Sequence, residues 1–169
     1  MPKWIRPATL LLLSFLEITV VQVRWEDIQV LGRLQSLRYL NLIVSSNIQV
    51  PERSMLNPDS FPCAIRCRFI WFAMVPSMLP PGAMPRLEEF RFGIQVEDFS
   101  LGEFTTDELA LGHLPSLQDV QVDLCGTLKV SQEVATKVKE KLRHEADVHP
   151  KHPSLRFFYE GNYRSLHYY

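Results

Sequence analysis

Residues 34–42 read LQSLRYLNL, which places Leu34, Leu37, Leu40 and Leu42 at offsets of 0, 3, 6 and 8. The same offsets recur at Leu10, Leu13, Leu16 and Ile18, at Met84, Leu87, Phe90 and Phe92, and at Leu114, Leu117, Val120 and Val122. A degraded copy runs through Phe61, Ala64, Cys67 and Phe69. The copies start at residues 10, 34, 61, 84 and 114, so successive spacings are 24, 27, 23 and 30. The last two apolar positions of each copy are separated by one outward residue, as a short half-buried strand requires. The first two, three apart, turn the chain inward before that strand. Amphipathic helices would keep spacings of 3 and 4, and the recurring offset of 2 breaks that period. One unit of roughly 25 residues cannot bury its apolar side alone, so units must stack.

Stacking of this kind predicts an α/β fold: an irregular leucine-rich-repeat solenoid with short parallel strands on a concave face and a loop-rich convex side. Strands are expected near residues 15–19, 39–43, 66–70, 89–93, 119–123 and 154–158, within one repeat domain over 1–161. The usual polar slot, three residues past the last strand position, holds Val21, Ser45, Phe72, Gln95 and Cys125, and only Cys125 fits the Asn/Cys preference. Pro51, Pro58, Pro62, Pro76, Pro80-Pro81-Gly82 and Pro85 favour turns over long helices between strands. One C-terminal helix is expected near 131–147, with Ser131 as N-cap and Val134, Val138 and Leu142 as its apolar stripe. Pro150 ends it, and residues 162–169, with Tyr163, Tyr168 and Tyr169, read as a flexible tail.

Composition mainly excludes. The chain has 169 residues, 46% apolar and 22% charged, and a formal charge of −1, values of an ordinary folded domain rather than a disordered one. That neutrality sums three blocks: 8 basic and 5 acidic residues over 1–85, 2 and 9 over 86–123, and 8 and 5 over 124–169. No basic footprint suits nucleic acid, and three cysteines do not make a disulfide framework. Lys3 and Arg6 before Leu10–Leu16 imitate a secretory signal, but Glu17 follows a run of only seven residues and no small-residue cleavage site appears. That run is also too short for a membrane span and belongs to the repeat.

Three segments, PPGAMPRLEEFRFG, LGHLPSLQDVQVDL and VKEKLRHEADVHPKHPSLRFFYEG, resemble the C-terminal leucine-rich-repeat region of cereal nucleotide-binding leucine-rich-repeat disease-resistance proteins. WEDIQVLGRLQSLRYLNL resembles an earlier repeat of the same region, so the likeness covers roughly residues 1–161. The resemblance implies a noncatalytic, cytoplasmic protein-recognition module of plant innate immunity and the defense response. Its role would be that of a sensor and autoinhibitory region, binding a pathogen effector, a guarded host protein or a receptor's nucleotide-binding domain. The sequence contains no phosphate-cradling GxxxxGK[ST] loop, and it departs from such receptors by lacking everything before the terminal repeats. The alternatives are a substrate-recruiting leucine-rich-repeat subunit of a ubiquitin ligase, for which no F-box is visible, or a truncated fragment with no independent function.

Chemistry-bearing clusters are sparse. His144, His149 and His152 are spaced by 5 and 3, but no cysteine or acidic set completes a metal site, and turn histidines exposed to solvent are expected. Cys125 and His113 lack a third orienting group, and Cys67 fills an inward repeat position. No enzyme activity, cofactor, metal, nucleic acid, membrane or small-molecule substrate is therefore expected. The candidate protein-binding surface is the concave strand face, with Tyr39, Asn41, Arg66, Arg68, Glu89, Arg91, Asp119, Gln121 and Asp123. Lateral files there run Phe15, Tyr39, Arg66, Glu89, Asp119, Ser154, then Glu17, Asn41, Arg68, Arg91, Gln121, Arg156, then Thr19, Ile43, Ile70, Gly93, Asp123, Phe158. Arg66 is expected beside Glu89, with Asp119 beside that.

Overall fold

A computed structural model describes residues 5–45, 55–126 and 132–159. Six strands, β1 (Phe15–Val20), β2 (Tyr39–Val44), β3 (Arg66–Ala73), β4 (Glu89–Gln95), β5 (Asp119–Cys125) and β6 (Ser154–Tyr159), form one sheet in chain order. Every neighbouring pair is parallel. The turn before each strand has a common cause in the repeat. Its two leading apolar residues are joined by a backbone hydrogen bond, from Leu13 to Leu10, Leu37 to Leu34, Ala64 to Phe61, Leu87 to Met84 and Leu117 to Leu114, each at 3.1–3.2 Å. The carbonyl just ahead of one strand then accepts two N–H groups from the next unit. Ser14 accepts from Arg38 and Tyr39, Arg38 from Ile65 and Arg66, Ile65 from Glu88 and Glu89, and Glu88 from Gln118 and Asp119. Each unit thus sets the register of its successor, and Phe15, Tyr39, Arg66, Glu89, Asp119 and Ser154 fall in line.

Alternation decides the two faces. Along β2, Leu40, Leu42 and Val44 are buried while Tyr39, Asn41 and Ile43 are half-buried on the other side. The inward row joins Ile28, Leu31, Met78, Leu79, Leu109, Leu111, Val138 and Leu142 from the connections in a single core. Even the degraded copy is fully inside, with Phe61, Ala64, Cys67 and Phe69 at most 1% exposed. Phe61 and Met84, its counterpart in the next unit, both take left-handed backbone (φ 55° and 51°), so the inward turn is strained in two successive units.

The expected C-terminal helix forms, but it is not alone among the described residues. Two further helices occur in connections, α1 (Trp25–Gly32) and α2 (Val96–Ser100), besides α3 (Gln132–Val148). In α1, Trp25, Ile28 and Leu31 bury one stripe, and the Asp27 carboxylate accepts the Arg24 backbone N–H at 2.9 Å. Glu26 and Asp27 also complement the positive end of the helix. Eight residues with three apolar positions are a weak period in sequence, and packing on the core stabilises them.

Acidic crowding leaves a mark at α2. Burial, then Glu97 and Glu103, raise the pKa of Asp98, and its Oδ2 has no hydrogen-bond partner among the described residues. A carboxyl raised in the folded state binds more protons folded than unfolded, so its contribution to stability falls as pH rises through the interval between the two pKa values. Asp98→Asn is therefore expected to raise the urea midpoint at neutral pH and to lose that advantage below the ordinary carboxylate range. An equal midpoint at pH 7 would show that the crowding costs nothing.

β3 corrects the third lateral file. Thr19, Ile43 and Ile70 align, but the register then jumps from Arg68–Arg91 to Ala73–Gly93, so Ile70 does not face Gly93. Five residue steps on β3 oppose two on β4, and Trp71 within this bulge adopts φ 65°. A Cβ on Gly93 would meet the Phe72 carbonyl at 3.3 Å, so the glycine lets the bulged backbone approach.

The C-terminal helix α3 buries Val138, Leu142 and Ala146, one turn further along than the expected stripe, while Val134 packs only partly. Ser131, the expected N-cap, and residues 162–169, the expected tail, lie outside the described residues. His149 is not the exposed turn histidine expected. It is 1% exposed, its Nε2 lies 3.1 Å from the Leu114 carbonyl, and its Nδ1 accepts the Lys151 backbone N–H at 3.1 Å. With Nδ1 accepting, Nε2 is the nitrogen left to donate to Leu114, and the two contacts tie the turn after α3 to the fifth unit. Among the described residues, no helix is long and apolar enough to cross a membrane.

Candidate protein-binding face

The outward residues of all six strands lie on one sheet face, and the parallel register brings all nine candidate residues onto it. The first row begins with aromatics. Phe15 and Tyr39 have ring centroids 6.4 Å apart, and the Arg66 guanidinium lies 5.8 Å from the Tyr39 centroid. Arg66 then donates to Glu89 at 2.5 Å, a hydrogen bond that raises the arginine's pKa. Arg68 reaches the other Glu89 oxygen only at 3.7 Å.

Asp119 follows Glu89 laterally without an opposing cation between them. Burial disfavours its charge, but hydrogen bonds from Ser154, Gln121 and Arg156, at 2.5, 2.8 and 2.7 Å, outweigh that and hold its carboxyl below the ordinary range. In the third row Asp123, 6% exposed, accepts two hydrogen bonds from Arg91, each at 2.9 Å. The Arg91 guanidinium also lies 5.1 Å from the centroid of Phe158. On β1 and β2, Asn41 donates to Glu17 at 3.2 Å.

Lateral alignment exposes the Arg66–Glu89 pair in the sequence. It does not expose the Arg91–Asp123 fork or the Arg156 contact to Asp119, both of which cross diagonally between rows. The only readable signal is the length of arginine, which spans an i±2 offset between adjacent strands. Gln121 likewise turns along its own strand to Asp119 rather than across the row.

Chemically, the face offers hydrogen bonds, guanidinium–aromatic contacts and ion pairs. The cysteines and histidine considered for catalysis are engaged elsewhere. Burial pushes the Cys67 thiol far upward, so it remains protonated. Cys125 donates to the Asp123 carbonyl at 3.5 Å, and His113 contacts the Pro76 carbonyl at 3.1 Å. Among the described residues, no three His, Cys, Asp or Glu side chains stand close enough to share a metal ion.

A family model described as a leucine-rich repeat region matches residues 1–155. No match is found among the curated proteins.

Proposed function

From the premise that the chain belongs to the leucine-rich repeat region family, whose members are generally noncatalytic protein-interaction modules, we propose a recognition role in plant innate immunity. On this reading the strands line the concave side of a solenoid, and Tyr39, Asn41, Arg66, Arg68, Glu89, Arg91, Asp119, Gln121 and Asp123 meet a protein partner there. That partner is a pathogen effector, a guarded host protein or the nucleotide-binding domain of an intracellular disease-resistance receptor, and the setting is cytoplasmic. One observation carries the reading: a continuous strand face whose aromatic, guanidinium and carboxylate groups are preorganised by contacts with one another. Such groups dominate binding energy at protein interfaces. The resemblance of PPGAMPRLEEFRFG and VKEKLRHEADVHPKHPSLRFFYEG to cereal disease-resistance receptors supplies the defense setting.

Pull-down of a receptor nucleotide-binding domain tests this. Arg66→Glu and Arg68→Glu are each expected to weaken capture by at least about tenfold, because each places a carboxylate beside Glu89. Unchanged capture by both variants would remove the face from the interaction. A second reading, an array that functions only when covered at β1, is favoured by the exposure of Leu11, Leu12 and Val21 and by the incomplete burial of Ile18 and Val20. Cooperative unfolding of soluble residues 1–169 alone would count against it.

A further inference from the structure

The face divides into a closed half and an open half. Across β4–β6, the charged side chains saturate one another: Arg91 holds Asp123 through two bonds, and Asp119 gathers Ser154, Gln121 and Arg156. Arg66 takes Glu89 at 2.5 Å. Glu17, the remaining outward carboxylate of the strands, is bonded by Asn41. Arg68 alone of the four strand arginines is left with a contact of 3.7 Å, to a carboxylate that Arg66 already holds. Its lateral neighbours are Asn41 on β2 and Arg91 on β4, so a like charge stands opposite it. Like charges directly opposed across strands are destabilising. Asn41 Oδ1, beside it on β2, and Arg66 Nε, two residues earlier on β3, are buried atoms without partners among the described residues.

Arg66, held by Glu89, stands two residues before Arg68 on β3, whereas on the neighbouring β2 the flanking positions are Tyr39 and Ile43. Two residues earlier, the first row presents Tyr39 and the 61% exposed Phe15; two residues later, the third row presents Ile43 paired with Ile70, both half-buried. Toward β2, a guanidinium lacking a full partner thus sits between the aromatic Phe15–Tyr39 pair and the aliphatic Ile43–Ile70 pair.

We propose that Arg68 anchors a side-chain carboxylate of an extended, acidic segment in a protein partner, with apolar residues of that segment seated on Tyr39 and on Ile43–Ile70. The proposal rests on the recognition role above and names the chemistry of the partner. Same-side residues of an extended segment repeat every ~7 Å, matching the i, i+2 rows of β2 and β3, so the segment reads apolar-x-acidic-x-apolar. Polyphosphate ligands fit poorly, because Glu17, Glu89, Asp119 and Asp123 balance Arg66, Arg68, Arg91 and Arg156 on the strands.

A random-peptide phage library panned on the folded chain tests this. Enriched peptides are expected to carry Asp or Glu two positions from an apolar residue on each side. Their capture is expected to fall at least about tenfold with Arg68→Glu, to weaken with Arg68→Gln, and to persist with Lys137→Ala on exposed α3. Circular dichroism of each variant checks folding, and Arg68→Gln carries the test should Arg68→Glu unfold. Enriched peptides without an acidic residue, or capture insensitive to Arg68 replacement, overturn the carboxylate anchor. If such peptides are nevertheless lost with Tyr39→Ala, the recognition face stands without that anchor. Failure to enrich any peptide overturns both.

Discussion

Phe90→Ala is expected to lower stability by about 3–5 kcal/mol, seen as a fall in urea midpoint with little change in slope. Phe90 is 1% exposed and sits at the middle of the sheet's inner face. Its ring meets Phe69 of β3 edge-on, with centroids 6.3 Å apart and planes at 85°, and stacks on Phe92 at 4.7 Å. Truncation removes the transfer energy of the largest group at that point and leaves a cavity between units three and four. Relaxation is restricted, because paired backbone hydrogen bonds to the Ile65 carbonyl fix the spacing of units three and four, and those to the Glu88 carbonyl fix that of units four and five. Phe90→Leu keeps most of the volume and is expected to cost less than about 1.5 kcal/mol. A loss under about 1 kcal/mol for Phe90→Ala would mean that the units repack independently of one another.

That dependence between units explains what the sequence discloses. The offset of 2 at the end of each copy is a local consequence of strand geometry, so Leu40 and Leu42, or Val120 and Val122, announce both a strand and its inward side. Parallel pairing in chain order follows once units must cover one another. Departures arise where a contact between units overrides a local pattern. The bulge at Arg68–Ala73 is invisible in RCRFIWFA, which alternates plausibly enough for an uninterrupted strand, and it displaces the third file by changing what faces Gly93. Helix α1 escapes notice because its stripe is short and its stabilisation comes from the core. His149 misleads for the opposite reason. HPKHP carries every mark of a solvated turn, yet the Leu114 carbonyl, 35 residues earlier, draws the ring inside.

The candidate face shows the same division. Which residues point outward is legible from alternation, as is the straight lateral contact of Arg66 with Glu89. Which cation meets which carboxylate elsewhere is not, because four arginines and four carboxylates on adjacent strands admit several pairings. Burial chooses among them. Asp123 is the most enclosed of the acids, so it demands a bidentate partner, and Arg91 is held there rather than beside Glu89 or Asp119. The pairing left over isolates Arg68.

Asp123→Ala is accordingly expected to cost about 2–4 kcal/mol, more than an exposed ion pair could account for. Its side chain is 8% accessible and that of Arg91 26%, so deletion strands a guanidinium in a setting from which water only partly rescues it. The lateral neighbour of Arg91 on β3 is Arg68, and without Asp123 an unpaired Arg91 would face a second cation whose own carboxylate contact is only 3.7 Å. Asp123→Asn retains one acceptor and is expected to cost roughly half as much. Adding Arg91→Met to Asp123→Ala removes the stranded charge, so the double variant should recover part of the loss, and a double-mutant cycle should return a coupling above about 1 kcal/mol. Coupling near zero would show that Arg91 finds water as readily as it finds Asp123, and that the closed half of the face is held by backbone register alone.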